Sequence, residues 1–443
     1  MILKIKNLIL SKMNSDNLMN SLFVTFGNIL KMALGVLLIP IYSRYVSPAE
    51  LGKFDYLLTF SPLISQFVSL GLTNSIARFH YAEPHKGYVK YIYDRIKKRS
   101  LIAGFLIFLI GIFLYVPISN FIGFSVFLLF IINFVLENHT FTSVYSYALQ
   151  DKFKKRALVQ LLSVLFRYSF TILLVILLDN KIVALALGMF VSWTFLFFQS
   201  QYDNKGFLNQ EILSLEDRKK INQYSRPLLY LGIFSFIYQT SDRFFLGSLL
   251  KENAMTQLGY WGLAQRIVTI LSLSLGGFLE VWNITVFKDD DKSLLVKSQR
   301  NYMYLIFSSC MFVILIMYIL KDIIIKFLFT KSYEASFLLA ISLIGIFCWT
   351  NLREILEKSF LKEGNTRLVT TVFIIFSILL LLGNLYAIPT FGIYGLVYVT
   401  IIVKISHTIV LFFLNRHYDF KISFLPLCFA LVTTFLFLIY FLI

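Results

Sequence analysis

The sequence predicts an all-α polytopic membrane protein, and three observations carry that prediction. Of its 443 residues 58% are hydrophobic and only 15% charged, against roughly 25% charged in an average soluble domain. Apolar runs of about 20 residues, the length of a bilayer-crossing helix, recur along the chain in place of the roughly ten-residue alternation of a membrane barrel. The basic residues, finally, concentrate in every second connection. A single soluble core stops growing near roughly 250 to 300 residues, so this apolar mass requires lipid as its solvent.

Residues 1–17 open with MILKIKNLILSK, which has neither a long apolar core nor a small-residue cleavage site, and read as a cytoplasmic interfacial segment. Punctuated by charges, Pro and Gly, the apolar runs place about thirteen spans, near 18–42, 54–78, 100–117, 121–149, 157–178, 182–199, 224–250, 255–287, 301–320, 335–361, 368–388, 392–415 and 422–443. With the N-terminus cytoplasmic, cytoplasmic segments hold about 26 Lys and Arg and external segments about 7, as the positive-inside rule requires. Most of the net charge of +17 therefore records orientation rather than an affinity for nucleic acid.

An internal repeat organises the spans. SPAELGKFDYLLTFSPLISQFVSLGL, joining spans one and two, recurs in character as NAMTQLGYWGLAQRIVTILSLSLGGFL, joining spans seven and eight, and Leu51-Gly52 aligns with Leu258-Gly259. Six spans per copy is an even number, so the copies are parallel repeats, and substrate sites in such folds lie near the midplane between them. The expected organisation is an N-lobe of spans one to six (18–199), a cytoplasmic inter-lobe linker (200–222), a C-lobe of spans seven to twelve (223–415) and a C-terminal thirteenth span (416–443).

Charges inside spans are the candidates for function, since each costs about 2.5–3.5 kcal/mol at a helix centre. Lys31, Arg167, Arg243, Arg266 and Lys404 are the midplane cations, suited to a polyanion such as pyrophosphate. Glu137, Asp242 and Glu280 are the carboxylates for ion coupling or pairing. Glu137 pairs best with Arg167 and Asp242 with Arg266, because Asp242 and its neighbour Arg243 point about 100° apart around a helix. Arg226, Arg353, Glu354 and Glu357 lie near a cytoplasmic end, where long side chains snorkel.

Other chemistry is not indicated. Cys310, Cys348 and Cys428 stand singly in apolar runs, no Walker A pattern occurs, and Asp289-Asp290-Asp291 reads as a solvated charge run between Lys288 and Lys292. No metal, cofactor or catalytic residue is expected, and a membrane glycosyltransferase or polysaccharide polymerase is the weakest reading.

PIYSRYVSPAELGKFDYL (40–57), SDRFFLGSLL (241–250), LGYWGLAQRI (258–267), FLFTKSYEAS (327–336) and IPTFGIYGL (388–396) together resemble the polysaccharide biosynthesis or repeat-unit flippases, the O-antigen and capsule exporters of the multidrug/oligosaccharidyl-lipid/polysaccharide superfamily. The resemblance implies two six-helix lobes around a central cationic cavity, in the bacterial cytoplasmic membrane. It implies export of an undecaprenyl-pyrophosphate-linked oligosaccharide by alternating access, coupled to an ion gradient or membrane potential. In the related lipid II flippases, cations on spans one, two and eight meet the pyrophosphate; Lys31 and Arg266 fit the first and last, while span two offers only Arg78 at its end. The partners implied are the lipid-linked substrate, membrane lipids and the polymerase and chain-length machinery of a polysaccharide pathway, with the protein itself monomeric and binding no nucleic acid. The competing reading is a cation-coupled multidrug antiporter of the same superfamily, which calls for an acidic cavity.

Overall fold

The computed structural model describes residues 27, 30–31, 34–35, 38–73, 76, 87–150, 152–208, 213–250, 253–288, 292–328, 331–362 and 365–417. The N-terminal segment 1–17, Arg78, Asp289-Asp290-Asp291 and the thirteenth span at 422–443 lie outside the described residues. Among the described residues the chain is helical throughout, without strands. Residues 38–45 are helical and are followed by α1 (Pro48–Ser69), α2 (Tyr88–Phe113), α3 (Tyr115–Phe121), α4 (Phe124–Leu149), α5 (Phe153–Leu177) and α6 (Lys181–Leu208). Then come α7 (Leu215–Leu249), α8 (Ala254–Lys288), α9 (Lys292–Ile319), α10 (Lys321–Leu328), a 3-10 turn (Lys331–Tyr333), α11 (Ala335–Lys362) and α12 (Thr366–His417).

Six of the described helices are long and apolar enough to cross a membrane, and a seventh if the pair α2 and α3, bent by 91°, is one span. Large apolar side chains face outward on them, Phe113 being 87% exposed and Tyr386 72%, as lipid contact demands. The chain is thus a multi-pass membrane protein. Several helices outrun their apolar stretches: α2 begins at Tyr88, α7 at Leu215 and α9 at Lys292, each about ten residues before the span read from hydropathy. Those extra turns are rich in Lys, Arg, Gln and Glu, which favour helix without favouring lipid. Helices α6 and α7 likewise extend into the 200–222 connection.

The chain divides into two compact units, one of Met1–Ile41 and Leu57–Ile233, the other of Tyr42–Tyr56 and Phe234–Ile443. Each repeats the other's internal plan. In the first, α2 is broken after one residue into the short α3; in the second, α9 is broken after one residue into the short α10. In the first, Asn204 Nδ2 on α6 donates to the carbonyls of Ser143 on α4 (3.0 Å) and Ser200 one turn back (2.9 Å). In the second, Asn415 donates to Leu356 on α11 (3.1 Å) and Leu411 one turn back (3.0 Å). A buried amide must find acceptors inside the protein, and both copies use the same positions.

Helix α12 holds two spans in one continuous assignment. Gly392 adopts φ 62°, ψ −141°, a combination that residues with a Cβ avoid, and the chain reverses there. A Cβ on Gly383 would press on Val399, and one on Gly395 would strike the Ala387 carbonyl, so the two halves run antiparallel in close contact. Pro389 and Gly395 flank the reversal on either side.

The repeated Leu-Gly pair meets itself inside the second unit. Ser47 and Glu50 form a capping box at the start of α1: the Glu50 carboxylate accepts from the Ser47 N–H (2.9 Å), and the Glu50 N–H donates to Ser47 Oγ (3.3 Å). One turn on, a Cβ on Gly52 would land on the Met255 carbonyl of α8, and a Cβ on Gly259 would land on the Pro48 carbonyl of α1. Pro48 stands to Gly52 as Met255 stands to Gly259, four residues apart in both copies, so the contact is reciprocal, as in a two-fold interface. Backbone approach this close is open only to residues without side chains. Gly52→Ala or Gly259→Ala should therefore lower the thermal midpoint in detergent by several degrees, whereas Gly345→Ala, where a Cβ meets nothing within 4 Å, should be neutral or stabilising. Equal midpoints in all three variants would remove the crossing as a structural contact.

Candidate functional site

Each unit encloses a polar cavity. In the first unit a space of about 330 Å³ is lined by Lys31 and by one stripe from each of three helices. Helix α4 supplies Glu137, Thr140, Phe141, Val144 and Tyr145; α5 supplies Arg156, Gln160, Ser163, Val164 and Arg167; α6 supplies Met189, Ser192, Trp193 and Leu196. These spacings of three, four and seven are those of a single helix face. Lys31 Nζ donates to Gln160 Oε1 (3.1 Å), and Ser61 Oγ of α1 donates to Glu137 Oε2 (2.7 Å). Arg167 faces the same cavity as Glu137, but among the described residues it meets no hydrogen-bond or ion-pair partner; the bond reaching Glu137 comes from Ser61 instead. Arg156 Nε is buried without a partner. His139, two positions beyond Glu137, turns toward α2, its Nε2 3.3 Å from the Lys97 carbonyl oxygen.

In the second unit a cavity of about 380 Å³ is lined by Tyr238 and Asp242 of α7, Trp261 and Gln265 of α8, Thr350, Asn351 and Glu354 of α11, and Asn384, Thr400 and Lys404 of α12, among others. Asp242 Oδ2 accepts from Trp261 Nε1 (2.7 Å) and Gln265 Nε2 (3.2 Å). The Gln265 carbonyl in turn accepts from the Arg243 guanidinium. One amide thus links the two adjacent opposite charges, which a helix turns away from each other. Lys404 Nζ lies 3.4 Å from the Tyr238 ring centroid and donates to the Tyr238 carbonyl (3.3 Å). Acids outnumber bases in this lining, Asp242 and Glu354 against Lys404.

Arg266 has a partner that sequence reading did not assign. Its guanidinium forms a fork on Asp55, Nη1 to Oδ2 at 3.0 Å and Nη2 to Oδ1 at 2.9 Å, and stacks 5.1 Å over the Tyr42 ring. Asp55 belongs to α1 one turn beyond the Gly52 crossing, next to Gly262, where a Cβ would collide with its carboxylate. Beside it the Tyr333 hydroxyl donates to the Val46 carbonyl (3.1 Å), and burial holds that phenol well above its ordinary pKa.

The α11 charges are also internal. The Arg353 side chain, only 3% exposed, lies 3.3 Å from Glu354 and 3.5 Å from Glu357 and covers the Tyr238 and Phe373 rings at 5.0 and 5.1 Å. Tyr238 Oη and His407 Nδ1 share a hydrogen bond of 2.9 Å. Snorkelling, expected for Arg353, requires a helix facing lipid, and 72% of the α11 span is buried. The side chains of Arg226 and Glu280 lie outside the described residues. Among the described residues no cluster of three or more His, Cys, Asp and Glu side chains could hold a metal ion.

A family model described as polysaccharide biosynthesis protein matches residues 18–282. Among solved structures, the chain is similar to a lipid II flippase MurJ in an inward closed conformation, with 14% identity, TM-score 0.66 and coverage of 96% of this chain and 92% of that one. It is also similar to a multidrug resistance MATE family transporter of the MOP superfamily, in its outward-facing conformation (13% identity, TM-score 0.64, 91% and 96% covered) and its inward-facing one (14%, 0.63, 90% and 97%). These likenesses establish the fold. No curated protein matches the chain.

The Arg266–Asp55 fork should be a strong contributor to stability. Asp55→Asn leaves a sheltered guanidinium unpaired, at a cost of about 3–5 kcal/mol, readable as a lower thermal midpoint in detergent. The double variant Asp55→Asn with Arg266→Gln should recover part of that loss; strictly additive losses would show that the two side chains do not interact.

Proposed function

The chain belongs to the polysaccharide biosynthesis protein family, and from that premise we propose that it is a flippase for an undecaprenyl-pyrophosphate-linked oligosaccharide. It works by alternating access in a bacterial cytoplasmic membrane with its N-terminus on the cytoplasmic side. The observation that supports this reading most is the lining of the first unit's cavity, which among the described residues sets three bases, Lys31, Arg156 and Arg167, against one carboxylate, Glu137. Like charges gathered in a low-dielectric space repel, and an arrangement of this kind is relieved by an anionic ligand. Phosphate oxygens offer charge-assisted hydrogen bonds to all three of these cations.

Lys31 and Arg167 are the proposed pyrophosphate contacts. Arg243, Arg266 and Lys404 each already meet an acceptor or an aromatic face in the second unit, and their proposed part is to organise that unit's polar interior. Glu137 and Asp242 are the proposed coupling carboxylates. A multidrug antiporter taking cationic substrates would place an excess of acid where the first unit places base.

The test is transbilayer movement of an undecaprenyl-pyrophosphate-linked oligosaccharide in liposomes holding only this protein, with and without an ion gradient. The wild-type chain should move it, and Lys31→Gln combined with Arg167→Gln should slow movement at least about tenfold with the protein still folded. Movement of a cationic dye with none of the lipid-linked oligosaccharide under any gradient would favour the antiporter and defeat the proposal.

A further inference from the structure

The cavity-facing stripe of α5 runs Arg156, Gln160, Ser163, Val164, Arg167. Arg156 and Arg167 are three turns apart on one helix face, about 16 Å along the axis, which exceeds the length of two phosphates joined through a single oxygen. Between them sits Gln160, whose carbonyl holds the Lys31 ammonium at 3.1 Å. Arg156 stands at the end of α5 that follows Lys152, Lys154 and Lys155, the cytoplasmic end in the proposed orientation, and its Nε is buried without a hydrogen-bond partner. Arg167, deeper in the helix, makes no hydrogen bond among the described residues and acts on Glu137 across the cavity through its charge alone.

We propose that the first unit binds a pyrophosphate group at two successive stations along α5: an outer one of Arg156 and Lys31, which captures it from the cytoplasmic side, and an inner one of Lys31 and Arg167. Lys31 is shared, and Gln160 is a positioning residue that holds the ammonium between the two. A cation common to both stations lets the anion advance without being released into a lipid-bounded space, where an unpaired charge is most costly. Glu137, held by Ser61 at the cavity wall, is the only carboxylate in the lining among the described residues and limits the inner station to fewer negative charges. The inference rests on the flippase reading and adds to it the capture residue and the direction of passage.

Phosphate chemistry could reach the outer station from a polyprenyl pyrophosphate, from free pyrophosphate or from an anionic phospholipid head group. The experiment measures binding of inorganic pyrophosphate, undecaprenyl pyrophosphate and phosphatidylglycerol to the full chain in detergent, alongside the concentration dependence of transport in liposomes. Arg156→Gln should weaken both pyrophosphates by roughly ten- to a hundredfold and raise the half-saturating substrate concentration while the maximal rate is retained. Arg167→Gln should instead reduce the maximal rate. Arg156→Lys should restore most of the binding, and Lys155→Gln, which removes an adjacent charge bonded to Asp203 outside the cavity, should change nothing.

Equal losses in Arg156→Gln and Lys155→Gln would reduce the effect to surface charge and overturn the proposal. So would phosphatidylglycerol binding that neither pyrophosphate displaces. The outcomes separate this claim from the one beneath it: pyrophosphate binding without any transport removes the flippase reading, whereas transport that saturates alike in wild type and Arg156→Gln removes the outer station.

Discussion

Lipid cannot solvate a guanidinium, and arginine does not give up its proton at any ordinary pH. Every arginine inside the bilayer must therefore be answered by another part of the protein. Arg266 is answered by the two oxygens of Asp55 and the face of Tyr42, Arg353 by Glu354, Glu357 and two aromatic rings, Arg243 by the carbonyl of Gln265. Arg266 thereby ties α8 to α1, and Arg353 ties α11 to the rings of α7 and α12. Arg167 and Arg156 differ in facing a cavity that they share with Lys31 and, among the described residues, with the one carboxylate of Glu137.

The two units resemble each other in backbone geometry more than in side chains. Glycine at the Leu-Gly crossing allows carbonyls of α1 and α8 to lie where a methyl group would otherwise sit. Asn204 fastens α6 to α4 and Asn415 fastens α12 to α11 by the same pattern, one carbonyl across the helix pair and one a turn back. Around these fixed points the cavities have diverged. The first unit's lining is basic in excess and the second unit's acidic in excess, so two copies of one architecture present opposite chemistry.

Much of the architecture was legible in the sequence. Apolar length marked the helices that are long enough to cross a membrane among the described residues, and Leu51-Gly52 with Leu258-Gly259 marked the place where α1 and α8 meet. Less legible were the helical turns that precede α2, α7 and α9 in hydropathy, because Lys, Arg and Glu are good helix formers that no apolar window registers. Partner identity was legible least. Depth along a span places Arg266 and Asp242 at similar levels, but only the packing of α8 against the start of α1 shows that Arg266 meets Asp55. Arg353 looked like a snorkelling residue because periodicity does not reveal that α11 is enclosed. Arg156 looked like one more cytoplasmic charge, though its spacing from Gln160 and Arg167 already put the three on one face.

The central claim is that the anion is held inside the first unit by Lys31 and Arg167. The most direct measurement is a structure of the chain with a bound undecaprenyl-pyrophosphate-linked oligosaccharide, at a resolution that locates both phosphorus atoms. The account predicts phosphate oxygens within hydrogen-bond distance of Lys31 Nζ and the Arg167 guanidinium, with the Arg266–Asp55 fork intact. Phosphates seated on Arg266 or Arg243, with the cavity of α4, α5 and α6 unoccupied, would contradict it.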